Sequence, residues 1–208
     1  MSKITKIEQQ KRNKHRFSIY IDGVFAFGIH EDVMVKFRLE KGNEIDKHFI
    51  ENVVKEEEQN KANNYALNLL SYRARSEKEI KNKMFQKGYE DSIIDQSIEF
   101  LYRYKYLDDK EFALSFAKDK INLKSAGEKL IRQELFYKGI SSDIINDVIN
   151  VLMDEDKQYT AALELAKKKL NSTYKHDDKQ AKQRKLCSFL QRKGYSYSIV
   201  SRVLKEVL

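Results

Sequence analysis

Between His15 and His30 the chain reads HRFSIYIDGVFAFGIH, two short runs rich in Phe, Ile, Tyr and Val on either side of Asp22-Gly23. That dipeptide tolerates the positive φ angles of a type I′ turn, so the segment is predicted to be a β-hairpin. An isolated hairpin is marginal in water. A further strand over Ile4 to Glu8 and a short helix over Glu31 to Phe37 are therefore expected to cover it, with Gly42 marking a turn. From Asp46, an N-cap residue, the pattern changes period: Phe49, Ile50, Val53, Val54, Ala62, Tyr65, Ala66, Leu69 and Leu70 fall at helical spacing. Ser76 with Glu79 has the spacing of a capping box and opens a second helix, which Gly88 closes as a residue able to enter the left-handed region. A third helix follows Glu90 and carries Ile93, Ile94, Ile98 and Leu101.

This unit is written three times. MFQKGYEDSII from Met84 returns as LFYKGISSDII from Leu135 and as LQRKGYSYSIV from Leu190, with the glycines 51 and 55 residues apart. Eight and four residues before each glycine stand Ile80 and Met84, Ile131 and Leu135, Leu186 and Leu190, pairs that share a helix face. Five and six after it come Ile93-Ile94, Ile144-Ile145 and Ile199-Val200. Two after it are Glu90, Ser141 and Ser196, of which the serines are good N-caps and the glutamate a poorer one. Lysines 87, 138 and 193 sit in the last turn, where a cation complements the helix dipole. Units this small cannot hide their apolar stripes singly. The expected fold is mainly α: three tandem three-helix repeats in an elongated curved array, preceded by a small N-terminal β-hairpin region. The expected boundaries are a β-rich extension over 1–45 and repeats over 46–105, 106–153 and 154–208. The polar stretch Ser172 to Arg184 is predicted to be a longer loop or a frayed helix start.

Composition narrows the function. Apolar residues make up 41% and charged residues 35% of 208, with no proline, which suits a helical packed protein and not a disordered one. A net charge of +8 favours an anionic partner, and with no long apolar run that partner is expected to be nucleic acid and not a membrane. One cysteine, Cys187, excludes an intramolecular disulfide and a cysteine zinc cluster. The N-terminal stretch is basic but has no apolar core of a signal peptide, so a cytoplasmic location is expected.

No phosphate-binding glycine loop, nucleophile elbow or His/Asp/Glu cluster at ligand spacing is present. His15, His30, His48 and His176 are scattered. The pair His48 and Glu51 reads as a surface contact, and Asp108-Asp109 and Asp177-Asp178 as loop or capping carboxylates. No enzyme activity, catalytic residue, metal or cofactor is expected. Basic residues, in contrast, recur with the repeat, and stacked basic helices suit a polymeric partner; a solvated charged face is the competing reading. Phe100, Tyr102, Tyr104 and Tyr106 could stack on unpaired bases, but aromatics of small repeats are expected mostly to pack between units.

Five stretches resemble the RecX family of regulatory proteins, which modulate the RecA recombinase: ALNLLSYRARSEKEIKNKMFQKGY (66–89), YLDDKEFALSFAKD (106–119), GEKLIRQELFYKGI (127–140), AALELAKKKL (161–170) and FLQRKGYSYSIVSRVLKE (189–206). LDDKEFA together with RQEL-x-x-KGI is specific at this spacing. The N-terminal hairpin resembles the extension of longer members. The resemblance implies a non-enzymatic monomer that lies along RecA filaments on DNA and inhibits or disassembles them, with weak single-stranded DNA binding of no sequence preference. It points to Arg73, Arg75, Lys83, Lys87, Arg132, Lys138, Arg192 and Lys193 as partner-facing. Leu107, Asp108, Asp109, Phe112 and Ala113 are read as structural, Asp108 as an N-cap and Phe112 in the core. The alternative is a sequence-preferring DNA-binding protein built from helix-turn-helix-like modules.

Overall fold

A computed structural model describes residues 2–208. Strands β1 (Ser2–Gln10), β2 (Asn13–Ile21), β3 (Val24–His30) and β4 (Glu44–Ile45) form an antiparallel sheet in the order β3-β2-β1-β4. The β2–β3 turn has φ of 48° at Asp22 and 84° at Gly23, the two positive values that a type I′ turn needs. Ile4 pairs with Ile21, Ile7 with Ile19 and Phe17 with Ile29. Ile4, Ile19 and Ile29 are fully buried beneath helix α1 (Glu31–Lys36) and the start of helix α2 (Lys47–Tyr72), together with Val33, Leu39, Ile45 and Val53.

Helix α2 begins where Asp46 accepts a hydrogen bond from Phe49 N at 2.7 Å. It runs for 26 residues and serves two bodies. Its first half covers the sheet, locked by buried Glu57, which accepts from His30 N at 2.7 Å and pairs with Arg16 at 2.8 Å. Its second half is the first helix of the first repeat, with Ala62 and Ala66 buried and Gln59 donating to Ser97 Oγ at 2.9 Å. Ser97 belongs to helix α4 (Asp91–Arg103), which follows helix α3 (Glu77–Lys87).

Compactness divides the chain into two units: the chain up to Arg73 with Lys81–Tyr106, and Ala74–Ile80 with Leu107–Leu208. The boundary crosses α3. The second unit holds two complete helical trios, α5 (Asp109–Lys124), α6 (Glu128–Tyr137) and α7 (Ser142–Leu152), then α8 (Glu155–Asn171), α9 (Lys179–Arg192) and α10 (Tyr197–Val207). Each trio encloses its own core, one around Ile131, Leu135 and Ile149, the other around Leu186, Leu190 and Val203. Of the polar stretch expected as a loop or frayed helix start, residues 172–178 lie between α8 and α9, whereas residues 179–184 are already helical as the first part of α9.

All three repeat glycines end their helices in the same way. Gly88, Gly139 and Gly194 have φ of 94°, 84° and 92°. Their N–H groups donate to Phe85, Phe136 and Gln191, while the next residue donates to Met84, Leu135 or Leu190. This is the Schellman pattern, and it brings the buried C3 side chain against the residue after the glycine. The helix that follows is capped as its sequence implies: Ser141 and Ser196 accept from Ile144 N and Ile199 N, and Glu90 makes no capping bond.

The three glycines differ in what surrounds them. A Cβ on Gly88 would meet nothing within 4 Å, whereas on Gly194 it would lie 2.4 Å from Leu130 N. Gly88→Ala is therefore expected to cost only the left-handed penalty, about 1–2 kcal/mol. Gly194→Ala adds an overpacking cost of roughly 1–3 kcal/mol. Urea unfolding of the two variants measures the difference; equal destabilisation would show that the surroundings of Gly194 are not rigid.

Candidate functional site

In the second unit the turn at each later glycine seats on the start of the glycine-ended helix of the preceding repeat. Gly127, the N-cap of α6, donates through its N–H to Lys193 O at 2.8 Å, and Lys129 N donates to Gly194 O at 3.0 Å. The two backbones touch, because a Cβ on Gly127 would lie 2.5 Å from the carbonyl carbon of Gly194. Side chains finish the joint: Lys193 Nζ donates to Lys124 O at 2.7 Å and Tyr195 Oη to Ser125 O at 2.9 Å. These are carbonyls at the end of α5, where Ser125 is left-handed with φ of 46°. Burial pushes the Tyr195 hydroxyl up to about 12, so it stays a donor.

The α3 joint uses other groups for the same purpose. Ser76 and Glu79 form the reciprocal capping box that their spacing predicts, Glu79 N to Ser76 Oγ and Ser76 N to Glu79 Oε2, each at 3.3 Å. Ser76 Oγ then donates to Lys138 O at 2.7 Å, and Lys138 Nζ pairs with Glu79 at 2.9 Å. That ammonium also lies over the rings of Phe112 and Phe116, 5.5 and 5.1 Å from their centroids. Asp109 accepts from Glu77 N at 2.8 Å, and burial raises its carboxyl pKa above the ordinary value. Asp108 caps α5 through Lys110 N and Glu111 N, while Leu107, Phe112 and Ala113 are buried.

The eight candidate cations therefore separate. Lys138 and Lys193 hold repeats together. Arg132 is half-buried, donating to Glu128 and to Asn146, each at 2.7 Å. Lys87, Lys83 and Arg192 are exposed, Lys83 donating to Gln86 of its own helix. Arg73 is exposed and Arg75 half-buried at the entry to α3. The recurrent lysine before the glycine is thus a docking residue in the second and third repeats and a solvent-facing cation in the first.

One expectation about aromatics is corrected. Tyr102, Tyr104 and Tyr106 are 40%, 59% and 56% exposed instead of packed away. The Phe100 and Tyr104 rings lie 4.9 Å apart and those of Tyr104 and Tyr106 6.4 Å, a surface cluster held at the end of α4. Lys105, between the two tyrosines, takes a left-handed φ of 59°, which no residue pattern announced. Among the described residues no group of three His, Cys, Asp or Glu could hold a metal ion, and no helix is long and apolar enough to cross a membrane.

These features define a class: a tandem three-helix-repeat protein with a β-rich N-terminal extension and a surface rich in cations. Comparison with known proteins gives the family. Residues 2–46 match the regulatory protein RecX N-terminal domain, and residues 62–101, 108–149 and 155–204 match the first, second and third RecX three-helix domains. The chain is 38% identical over 208 residues to the regulatory protein RecX of Clostridioides difficile, covering all of this chain and 97% of that protein. It is 37% identical to the one of Staphylococcus haemolyticus, covering 76% of that longer protein. A crystal structure of a regulatory protein RecX superposes with a TM-score of 0.84 at 32% identity, over 99% of this chain and all of that one. The chain belongs to the RecX family, whose matching members are named regulatory proteins.

Two substitutions test the division of the cations. Lys138→Met removes the ion pair with Glu79 and the cation over the Phe112 and Phe116 rings and is expected to cost about 1 kcal/mol, while Lys87→Met stays within about 0.5 kcal/mol of the parent. Thermal or urea unfolding reads both. Asp109 supplies a pH test. Its folded-state pKa is raised, so the folded chain holds that proton more tightly than the unfolded chain and loses stability as pH rises through the range above 3.8. Asp109→Asn keeps an acceptor for Glu77 N without the charge, and its stability relative to the parent is expected to increase over that rise; a constant difference would contradict the assignment.

Proposed function

We propose that this chain binds RecA filaments on DNA and modulates, chiefly inhibits, recombinase activity in DNA repair and recombination, in the cytoplasm and as a monomer. What carries the reading is likeness along the whole chain to RecX regulatory proteins. The physics is compatible with it. A filament presents the same surface at regular intervals, and linked repeats that each bind weakly act intramolecularly after the first contact, so avidity exceeds the affinity of one repeat. The contacts are assigned to Arg73, Arg75, Lys83, Lys87 and Arg192, whereas Arg132, Lys138 and Lys193 support them from within. Direct affinity for single-stranded DNA is weak, salt-sensitive and without sequence preference.

A sequence-reading helix-turn-helix protein is disfavoured by charge. Of the three helices after the glycine turns, which would have to enter a groove, two expose carboxylates, Asp91, Asp95 and Glu99 on α4 and Asp143 and Asp147 on α7, and α10 alone exposes more cations, Arg202 and Lys205, than carboxylates. Carboxylates there repel phosphates.

Adding the protein to RecA on single-stranded DNA is expected to suppress ATP hydrolysis and strand exchange. A Lys83→Glu, Lys87→Glu, Arg192→Glu variant, reversing exposed cations away from the repeat joints, should keep its helical circular dichroism and need roughly ten-fold more protein for the same suppression, about 1.4 kcal/mol. Absence of suppression by the parent chain would overturn the function. Full suppression by the variant would overturn the choice of residues.

A further inference from the structure

Within each repeat, the residues seven before and seven after the glycine face one another between its last two helices. In the first repeat Lys81 and Asp95 bridge at 3.0 Å; in the second Arg132 donates to Asn146 at 2.7 Å. The third repeat has Cys187 and Ser201 at these positions. Two small side chains cannot span the gap, and a groove of about 670 Å³ opens there between α9 and α10. Val200 and Leu204 lie beside them on its floor, and Lys179 and Arg184 on α9 and Lys205 on α10 form its rim. These three cations are exposed, no acidic residue lines the groove, and among the described residues none of them has an ion-pair partner.

We propose that this groove receives an acidic amphipathic helix from a protein partner, its apolar side chains entering between α9 and α10 and its carboxylates meeting the cations on either bank. A groove of this size takes a few large apolar side chains. Helix-in-groove recognition needs an apolar floor with a rim of charge opposite to that of the incoming helix. The groove offers an unpaired base a single aromatic face, exposed Tyr197 on α10, where single-stranded nucleic acid prefers a series of them. The rim cations select an anionic segment and speed its arrival. Neither the groove nor the peptide that probes it involves a RecA filament.

Cys187 is the sole cysteine, so the unaltered chain reports on its own groove. The probe is a synthetic peptide of ~16 residues with leucine at positions i, i+3, i+4 and i+7 and glutamate at most others. It is expected to slow alkylation of Cys187 by iodoacetamide at least about five-fold at saturation, and to bind with an anisotropy change when fluorescein-labelled. Cys187→Arg with Ser201→Asn rebuilds the bridge of the second repeat and closes the groove, and binding should weaken by about ten-fold or more. Lys205→Glu, a surface change, should weaken binding about three- to ten-fold and serves as the second variant if the double replacement disturbs folding. The proposal is overturned if the peptide at millimolar concentration leaves alkylation unchanged. It fails equally if the matched leucine-lysine peptide or oligothymidylate protects Cys187 as well as the acidic peptide does, or if folded variants bind it undiminished.

Discussion

Backbone contact between a glycine turn and the first turn of another helix is the constraint on which the tandem arrangement of the second unit rests. A helix leaves its first N–H groups and its last carbonyls without partners. At the Gly194 turn the two deficits cancel, because Gly127 N and Lys129 N take Lys193 O and Gly194 O as acceptors. The negative end of α9 thereby meets the positive end of α6, an arrangement the helix dipoles favour. Only glycine allows it twice over: Gly194 needs a left-handed φ, and both Gly194 and Gly127 must approach closer than any Cβ permits.

The joint at α3 shows the same logic with different atoms. Ser76 stands where Gly127 stands in the next repeat, and its hydroxyl spans the gap to Lys138 O while capping its own helix. The lysine before each docking glycine becomes part of the joint, by a carbonyl contact at Lys193 and by an ion pair over two rings at Lys138. A cation that recurs with the repeat is thus explained by stacking. The exposed cations are instead Lys87, beside a glycine whose Cβ would meet nothing within 4 Å, and residues such as Lys83 and Arg192 whose positions do not repeat.

Local features were legible in the residues and nonlocal ones were not. The Asp22-Gly23 turn, the caps at Asp46, Ser76, Asp108, Ser141 and Ser196, and the left-handed glycines all depend on neighbours a few positions away, and each formed as its sequence implies. The joints link residues more than fifty positions apart, and no spacing along the chain reveals that Lys138 faces Glu79. Sharing of α2 between sheet and repeat was equally hidden, since its apolar positions keep helical spacing while changing the surface they cover. Exposed Tyr104 and Tyr106 defied the general preference of aromatics for cores, which composition cannot override. The groove beside Cys187 did leave a trace, a break at two positions that carry polar bridges in the other repeats, but the trace acquires meaning only once those positions are seen to face each other.

Amide hydrogen exchange on the unaltered chain examines the joint at its own atoms. If the turn truly carries the stacking, the N–H groups of Gly127 and Lys129 must exchange as slowly as those in the middle of α6 and α9, released only when the unit opens as a whole. Exchange of these two amides at the rate of an open helix start, while the cores of both repeats stay protected, would show that the repeats hold together without the glycine joint.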